Sequence, residues 1–202
     1  MTIGAMTLNA LLLLGSSQST PRDSVIYVLS PSSRFEVATG KSGLFGFAGH
    51  EHTIRARAFS GCIVYRPQAI AESHLEITVP TDSLEVLTPP DTEEIRKVTA
   101  SMRTEVLDVA NYPEIRLVSK RITGDSRHVE MTAALTIKGQ TREVPVTVEL
   151  EIAGDTLRAS SSFAIKQTDF GIRPFRGGPA GTVRVADRVT FSISVIAILE
   201  RR

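Results

Sequence analysis

The chain has 202 residues, a formal net charge of +1 and 42% hydrophobic residues. This length favours one domain with a full core, and the interspersed acids and bases give no reason to expect a nucleic-acid partner or an electrostatic membrane-binding face. The single cysteine, Cys62, excludes an internal disulfide, and its strand-like setting favours a buried structural thiol.

The N-terminus carries a short apolar run, Ala5 to Leu14, which small polar residues follow. This is the pattern of a secretory signal peptide, although no Lys or Arg precedes the run. The run is also too short to span a bilayer. We therefore expect residues 1–20 to be a signal peptide and residues 21–202 to form one exported domain without an integral membrane span.

Most of the remaining chain alternates apolar and polar residues, which predicts strands with one buried face. The earlier strands are RFEVATG, IRARAFSGCIVYR, HLEITVP and EIRLVSKRI. Before the last of these, PPDTEEIRKVTASM has a helical period instead. Asp91 and Glu94 match a capping box, and Ile95, Val98 and Met102 form an apolar stripe. We expect this helix to pack on the sheet.

The second half of the chain predicts a meander of antiparallel strands. HVEMTAALTIKG, REVPVTVELEIAG and TLRASSSFAIK each direct alternate apolar side chains to one face, with turns at Gly139 and Gly154. The final strand, VTFSISVIAIL, becomes apolar on both faces at Ile196 and Ile198. This indicates a stretch that is covered on both sides, as by another chain.

Seven or eight strands with short connections predict a sandwich or a barrel. Several strands exceed ten residues, and inward residues alternate large with small, as at Met131, Ala133 and Leu135. These features favour a barrel. An eight-stranded barrel is wide enough to be filled by its own side chains or to hold one small ligand.

No enzyme motif is present. The sequence lacks a phosphate-binding glycine loop, a nucleophile elbow, a metalloprotease helix and paired cysteines. Asp169, in KQTDFGIRPF, is interpreted as part of a turn that places Phe170 and Ile172, because aspartate commonly bonds its own nearby backbone. We therefore expect a protein that is not an enzyme.

The tripeptide His50-Glu51-His52 is the one candidate for metal chemistry. On a strand the two histidines share a face, with Cα atoms roughly 6.5 Å apart, which is close enough to chelate one ion. The strand phase directs His50 and His52 inward and Glu51 outward, so Glu51 cannot easily complete a site. Hydrogen-bonded pocket histidines are favoured. A metal-binding protein or metal-dependent enzyme that uses these histidines is the alternative, and a filled barrel that serves as an interaction module is a third hypothesis.

Four blocks of the sequence resemble, in order, the YceI-like family. They are SRFEVATGKSGLFGFAGHEHTIRARAFSG, RKVTASMRTEVLDVANYPEIRLVS, ALTIKGQTREVPVTVEL and DFGI. The resemblance implies a mainly all-β fold, a lipocalin-like, extended eight-stranded antiparallel β-barrel with one short α-helix alongside. It also implies a hydrophobic tunnel, a bacterial periplasmic or secreted location, and a tendency to form homodimers. The His-x-His departs from the commoner family pattern, so the headgroup of the ligand could differ.

The barrel pattern and the resemblance together predict a non-catalytic carrier for a polyisoprenoid, an isoprenoid quinone or a related fatty amphiphile. We expect this ligand to occupy the tunnel, and we expect no cofactor and no nucleic-acid partner. No family ligand residue can be transferred by motif, so the candidate residues come from aromatic character and inward phase. The candidate ligand-binding residues are Phe35, Phe45, Phe47, His50, His52, Phe163, Phe170, Ile172 and Phe175.

Overall fold

The computed structural model of the chain describes residues 24–41, 52–87, 92–177 and 183–201. The predicted signal peptide and the predicted helix cap Asp91 lie outside these ranges. Within them, the chain forms twelve strands and one α-helix, α1 (Thr92–Ser101). The strands are β1 (Val25–Leu29), β2 (Arg34–Lys41), β3 (His52–Ala56), β4 (Ser60–Tyr65), β5 (His74–Pro80), β6 (Leu84–Val86), β7 (Glu114–Gly124), β8 (His128–Ile137), β9 (Gln140–Ala153), β10 (Thr156–Lys166), β11 (Arg176–Gly177) and β12 (Val183–Leu199).

Eight of these strands close a ring, which confirms the predicted barrel. The order is β1-β4-β5-β7-β8-β9-β10-β12, and the end of β12 returns to pair with β1, with Tyr27 opposite Leu199. Residues 185–194 of β12 pair with β2. The pairing continues from β2 through β3 to β6 and extends the wall at one end. Every pairing is antiparallel, as a meander with short turns requires.

Three of the barrel's long strands bend in the middle. The sequence predicted IRARAFSGCIVYR as one strand, but the structure divides it into β3 and β4, with the break at Arg57, Ala58 and Phe59. The break is bonded to a second one between β5 and β6, because the Arg57 N–H donates to the Ser83 carbonyl (3.0 Å) and the Ser83 hydroxyl donates to the Ala58 carbonyl (3.1 Å). A third bend separates β1 from β2. Beyond the bends, β2, β3 and β6 continue the pairing past the eight-stranded ring.

The helix covers the end of the barrel at which β6 ends. The predicted stripe faces the core, since Ile95 and Val98 pack against it and Met102 is buried. After Ser101 the helix widens into a π-helical turn (Met102–Val106), in which the Leu107 N–H donates to the Met102 carbonyl (2.9 Å). No helix among the described residues has the length and apolar character that crossing a bilayer requires.

The barrel wall separates between β9 and β10 near the helix end. β9 pairs with β8 over its first ten residues but with β10 only from Val148 to Ala153. Lys138 and Gly139 form the tight β8–β9 turn with positive φ values of 49° and 70°. Counting from that turn, the even-numbered residues of β9 exchange backbone hydrogen bonds with β8. Residue 145 is odd-numbered, so the position of its N–H faces away from β8. This residue is Pro145, which has no N–H to donate, and it lies where β9 does not pair with β10.

The turn that follows β10 lies at this gap. Residues Gln167–Phe170 form a single 3-10 turn, which Gly171 ends with a φ of +68°. Phe170 and Ile172 are buried in the same apolar cluster as Val144 and Ile165, which lie on the two separated strands. The turn predicted at Asp169 therefore places both side chains in the core at the point where the wall is open.

The outer face of the barrel carries an apolar patch where the ring closes. Val28 and Ile198 are opposite each other on β1 and β12 and are 43% and 44% exposed. Cys62 lies beside Val28 on β4 and is half-buried, so the prediction of a buried thiol was wrong. The strand phase explains this, because Ile63 takes the inward position and Cys62 the outward one.

Candidate functional site

A cavity of about 140 Å³ lies inside the barrel beneath the helix end. We call this the upper lobe. The π-helical turn contributes Met102, Val106 and Leu107 to its wall, and the strands contribute mostly valine, leucine, isoleucine and phenylalanine. In a regular helix Val106 would share a face with Met102, but Leu107 would lie about 140° around the axis. The wider π turn brings all three side chains to the cavity.

A second cavity of about 100 Å³ lies in the other half of the barrel. We call this the lower lobe. Both lobes are lined by Ile77, Leu117 and Ile193. These three side chains therefore lie between the two lobes, and we call them the neck. The lobes together follow the length of the barrel.

Tyrosines line the barrel beyond the lower lobe. Tyr65 contributes to the lobe's wall, and its ring meets that of Tyr27 edge to face, with centroids 6.5 Å apart. Burial raises the pKa of the Tyr27 phenol, and the neighbouring Tyr65 and Asp155 raise it further. Both tyrosines belong to a buried apolar cluster with Leu157 and Val195, so this end of the tunnel is dry.

The polar groups of the upper lobe are gathered at the end that lies furthest from the two tyrosines. Thr39 and Gln167 line the lobe and are 9% and 8% exposed. The Thr39 hydroxyl accepts from the His52 N–H (3.2 Å), and the Gln167 amide donates to the Ala186 carbonyl (2.8 Å). The lobe therefore has an apolar wall and a pair of uncharged polar groups at one end.

An aspartate fixes the turn that carries Gln167. The Asp187 carboxylate accepts from the Thr168 N–H (2.9 Å) and from the Thr168 hydroxyl (2.8 Å). The Thr168 N–H lowers the pKa of Asp187, and the Thr168 hydroxyl and Lys166 lower it further. This anchor joins the turn to β12, so the position of Gln167 is fixed from both sides.

Three of the predicted ligand residues line the upper lobe, namely Phe35, Phe163 and Ile172. The Phe35 ring lies 4.7 Å from that of Phe59, and the Phe163 ring is stacked on that of Phe191 with centroids 5.0 Å apart. These contacts hold both rings against the cavity wall.

The other predicted residues have different positions. Phe170 is 1% exposed and is buried in the core without lining either lobe. Phe175 is 38% exposed, on the segment before β11. Phe45, Phe47 and His50 lie outside the described residues.

His52 begins β3 opposite Thr39, at the polar end of the upper lobe. It lies in phase with Ile54 and Ala56, which both line the lobe, so its side chain belongs to the inward face of the strand. His74 and His128 begin β5 and β8 at the opposite end of the barrel. In the part of the chain that the structure describes, no three His, Cys, Asp or Glu side chains are grouped to hold a metal ion.

One histidine is paired with a serine. His74 Nδ1 lies 3.1 Å from the hydroxyl of Ser119, which also accepts from the Leu75 N–H (3.0 Å). Ser119 adjoins a bulge in β7, where the register with β8 shifts. The serine hydroxyl thus joins the start of β5 to the bulge, which is a structural role.

Sequence reasoning missed the residues of the π turn and Gln167. Met102 belonged to the predicted stripe, but nothing in the local sequence indicates that the helix widens there. Gln167 directly precedes the turn formers Thr168 and Asp169, so the sequence placed it at the end of a strand, where a polar residue is ordinary.

Comparison with known proteins identifies the fold family. A model of the YceI-like domain family matches residues 27–197. A search of curated protein sequences gives no significant match.

Solved structures with the same architecture are similar over most of the chain. BcnA from Burkholderia cenocepacia is 19% identical, with a TM-score of 0.66, over 83% of this chain and 98% of that one. A polyisoprenoid binding domain from Saccharophagus degradans, implicated in plant cell wall breakdown, is 12% identical, with a TM-score of 0.61, over 87% and 99%. The YCEI protein from Campylobacter jejuni is 17% identical, with a TM-score of 0.57, over 74% and 85%. At these identities the likeness shows the fold alone.

Proposed function

The chain belongs to the YceI-like family, and on this premise we propose that its barrel is a non-catalytic carrier that holds one long hydrophobic molecule. One observation carries the proposal: two apolar lobes meet at the neck of Ile77, Leu117 and Ile193 inside a closed barrel. An elongated apolar space of this kind suits a chain-like ligand. It offers few groups for chemistry, which fits a binding role.

The volume of the lobes suggests the length of the ligand. One water molecule needs on the order of 10–15 Å³ of such volume, so the two lobes together hold about 16–24 groups of that size. A methylene group is about as large as a water molecule. A tail of comparable length would fit without rearrangement, whereas a longer one would have to displace side chains or leave the barrel.

The energetics favour such a ligand. Each buried methylene contributes about 0.8 kcal/mol, so even a partly buried tail gains enough to offset the loss of its own freedom. The Saccharophagus degradans relative is described as a polyisoprenoid binding domain. A polyisoprenoid or an isoprenoid quinone is therefore the ligand class that we propose here.

Export is part of the proposal. The apolar run in residues 1–20 has the pattern of a signal peptide, and a carrier of membrane-derived molecules would be useful in the bacterial periplasm or outside the cell. N-terminal sequencing of the protein from its host tests this. A mature N-terminus close to residue 21 is expected, and an intact residue 1 would contradict it.

We also propose that two copies associate through the outer patch at Val28 and Ile198. The patch has charges of both signs at its rim, because Arg158 pairs with Ile196 on the β10 side and Glu200 follows the end of β12. A two-fold axis that passes between these two residues would place Arg158 of each copy opposite Glu200 of the other. Sedimentation should show a dimer that Ile198→Lys converts to a monomer, and a monomeric wild type would refute this.

Native mass spectrometry of the protein purified from its host tests the carrier role. We expect a co-purifying amphiphile that is released on denaturation. Ala56→Leu should reduce its occupancy, because Ala56 lines the upper lobe, while Ala58→Leu is the matched control at an exposed position. A wild type without bound amphiphile, which also fails to bind prenyl alcohols or quinones in solution, would refute the function.

A further inference from the structure

The upper lobe holds three polar residues among those that line it, and one of them faces away. Glu36 alternates on β2 with Phe35 and Val37, which face the lobe. Its carboxylate accepts from Arg55 at 2.8 Å (Nε) and 2.5 Å (Nη2) on the outer face of the barrel. The polar side chains that face the lobe are therefore Thr39 and Gln167.

These two residues approach the same part of β12 from opposite sides. Thr39 on β2 pairs with Val189. Gln167 follows directly after the last residue of β10, which pairs with Arg188, and its amide bonds to the Ala186 carbonyl. Because β2 and β10 are the two neighbours of β12 here, the hydroxyl and the amide lie at one end of the lobe.

The chemistry of this end is uncharged. A primary amide carries two N–H donors and a carbonyl acceptor, and the bond to Ala186 uses one donor. The Thr39 hydroxyl donates to the His52 carbonyl (3.4 Å) and accepts from the His52 N–H (3.2 Å), so its second lone pair offers one further acceptor. Among the described side chains that line the lobe, none is cationic. An anionic group placed here would lose its hydration without gaining a countercharge from the side chains that line the lobe, which is strongly unfavourable. His52, which begins β3 opposite Thr39, is not among those side chains.

We propose that the ligand's headgroup is uncharged, a hydroxyl or a quinone-type carbonyl, and is bound by Gln167 and Thr39 at this end of the upper lobe. The tail then passes the neck and ends in the dry lower lobe near Tyr65. This assignment rests on the proposed carrier function and specifies which amphiphiles the carrier accepts. It excludes diphosphates and carboxylates with the same tail.

The first test compares two ligands with identical tails. Geranylgeraniol and geranylgeranyl diphosphate are titrated against the full-length protein by calorimetry, because the chain has no tryptophan whose fluorescence could report binding. We expect the alcohol to bind at least about tenfold more tightly, since only the diphosphate carries an uncompensated charge into the lobe. Equal or tighter binding of the diphosphate overturns the inference but leaves the carrier function intact. Binding of neither ligand overturns both.

The second test locates the headgroup. Gln167→Leu should weaken geranylgeraniol binding about fivefold, the value of a lost hydrogen bond, but leave unchanged the binding of the same hydrocarbon without its hydroxyl. Gln140→Leu is the matched control, at an exposed position at the same end of the barrel. An equal loss for both ligands would show that Gln167 only supports the fold, and no loss would place the head elsewhere. Either result overturns the assignment.

Discussion

The hydroxyl of Ser33 bonds both backbone groups of Ile196, donating to its carbonyl at 2.9 Å and accepting from its N–H at 3.0 Å. Ser33 lies at the bend between β1 and β2, where Ile196 of β12 pairs with neither strand. A buried side chain thus replaces a missing backbone partner at the strand that closes the barrel.

We expect Ser33→Ala to destabilise the protein by about 1–3 kcal/mol, because the Ile196 N–H loses its partner. The Ile196 carbonyl keeps the Ser30 N–H as a donor (2.8 Å). Urea unfolding followed by circular dichroism measures the change. Ser32→Ala, at an exposed neighbouring position, should remain within about 0.5 kcal/mol of the wild type. Equal stability of the two variants would show that the bend does not depend on the Ser33 hydroxyl.

The turn after β10 offers a second stability test. Phe170→Ala should cost about 3–5 kcal/mol, since Phe170 is 1% exposed and its removal leaves a cavity where β9 and β10 separate. Phe175→Ala, five residues further along and exposed, serves as its control and should cost much less. Thermal unfolding measures both, and similar shifts would contradict the role assigned to Phe170.

A bulkier residue at the neck should shorten the ligand that the barrel accepts. Leu117→Phe adds a ring where the two lobes meet, so binding of geranylgeraniol should fall at least about tenfold. Geraniol, whose shorter tail stays within the upper lobe, should bind as before. Lys120→Phe, on the same strand but exposed, controls for the added ring. If Leu117→Phe leaves both affinities unchanged, the lobes do not form one tunnel.

The Asp187 anchor predicts a dependence of stability on pH. Its pKa is lower in the folded protein than in the unfolded chain. Such a carboxylate stabilises the fold above its unfolded pKa of ~3.9 and loses this effect as the pH falls through the folded pKa. Asp187→Asn should therefore be less stable than the wild type at neutral pH, with the difference shrinking below a pH of about 4. A constant difference across this range would exclude the anchor as its cause.

The histidine alternative is tested by elemental analysis. Under the carrier hypothesis, the protein purified from its host carries no stoichiometric metal, and replacing His50 and His52 by alanine changes nothing in its metal content. A stoichiometric metal that disappears in the double variant would instead support the metal-binding hypothesis. The metal-binding hypothesis uses both histidines, so the double variant is needed.

The strand alternation could be predicted because it is local. Met131, Ala133 and Leu135 are all buried, as their period of two required, and the helical stripe ending at Met102 faces the core. Hydrophobic burial acts on each residue through its own side chain, so the sequence carries this information directly.

Much of the candidate site depends instead on contacts that no local pattern encodes. Phe35, Phe163 and Ile172 were predicted from aromatic character and phase, but Gln167 is polar at a strand end, and only its bond to Ala186 identifies it as a cavity residue. The π turn at Met102 likewise brings Leu107 to the wall. Its Val106 carbonyl accepts from Lys138 on a distant turn, a partner that the helix sequence cannot specify.

By itself, the sequence determined the barrel class, the inward faces of the strands and the helix beside them, because apolar periodicity fixes which side chains leave water. Only the tertiary structure decided where the strands bend, how the wall closes and how the lumen divides into two lobes with a polar end. These features depend on pairs such as Ser33 and Ile196, which lie 163 residues apart. Such pairs form only when the whole ring is assembled, so the physical chemistry of either residue alone does not reveal them.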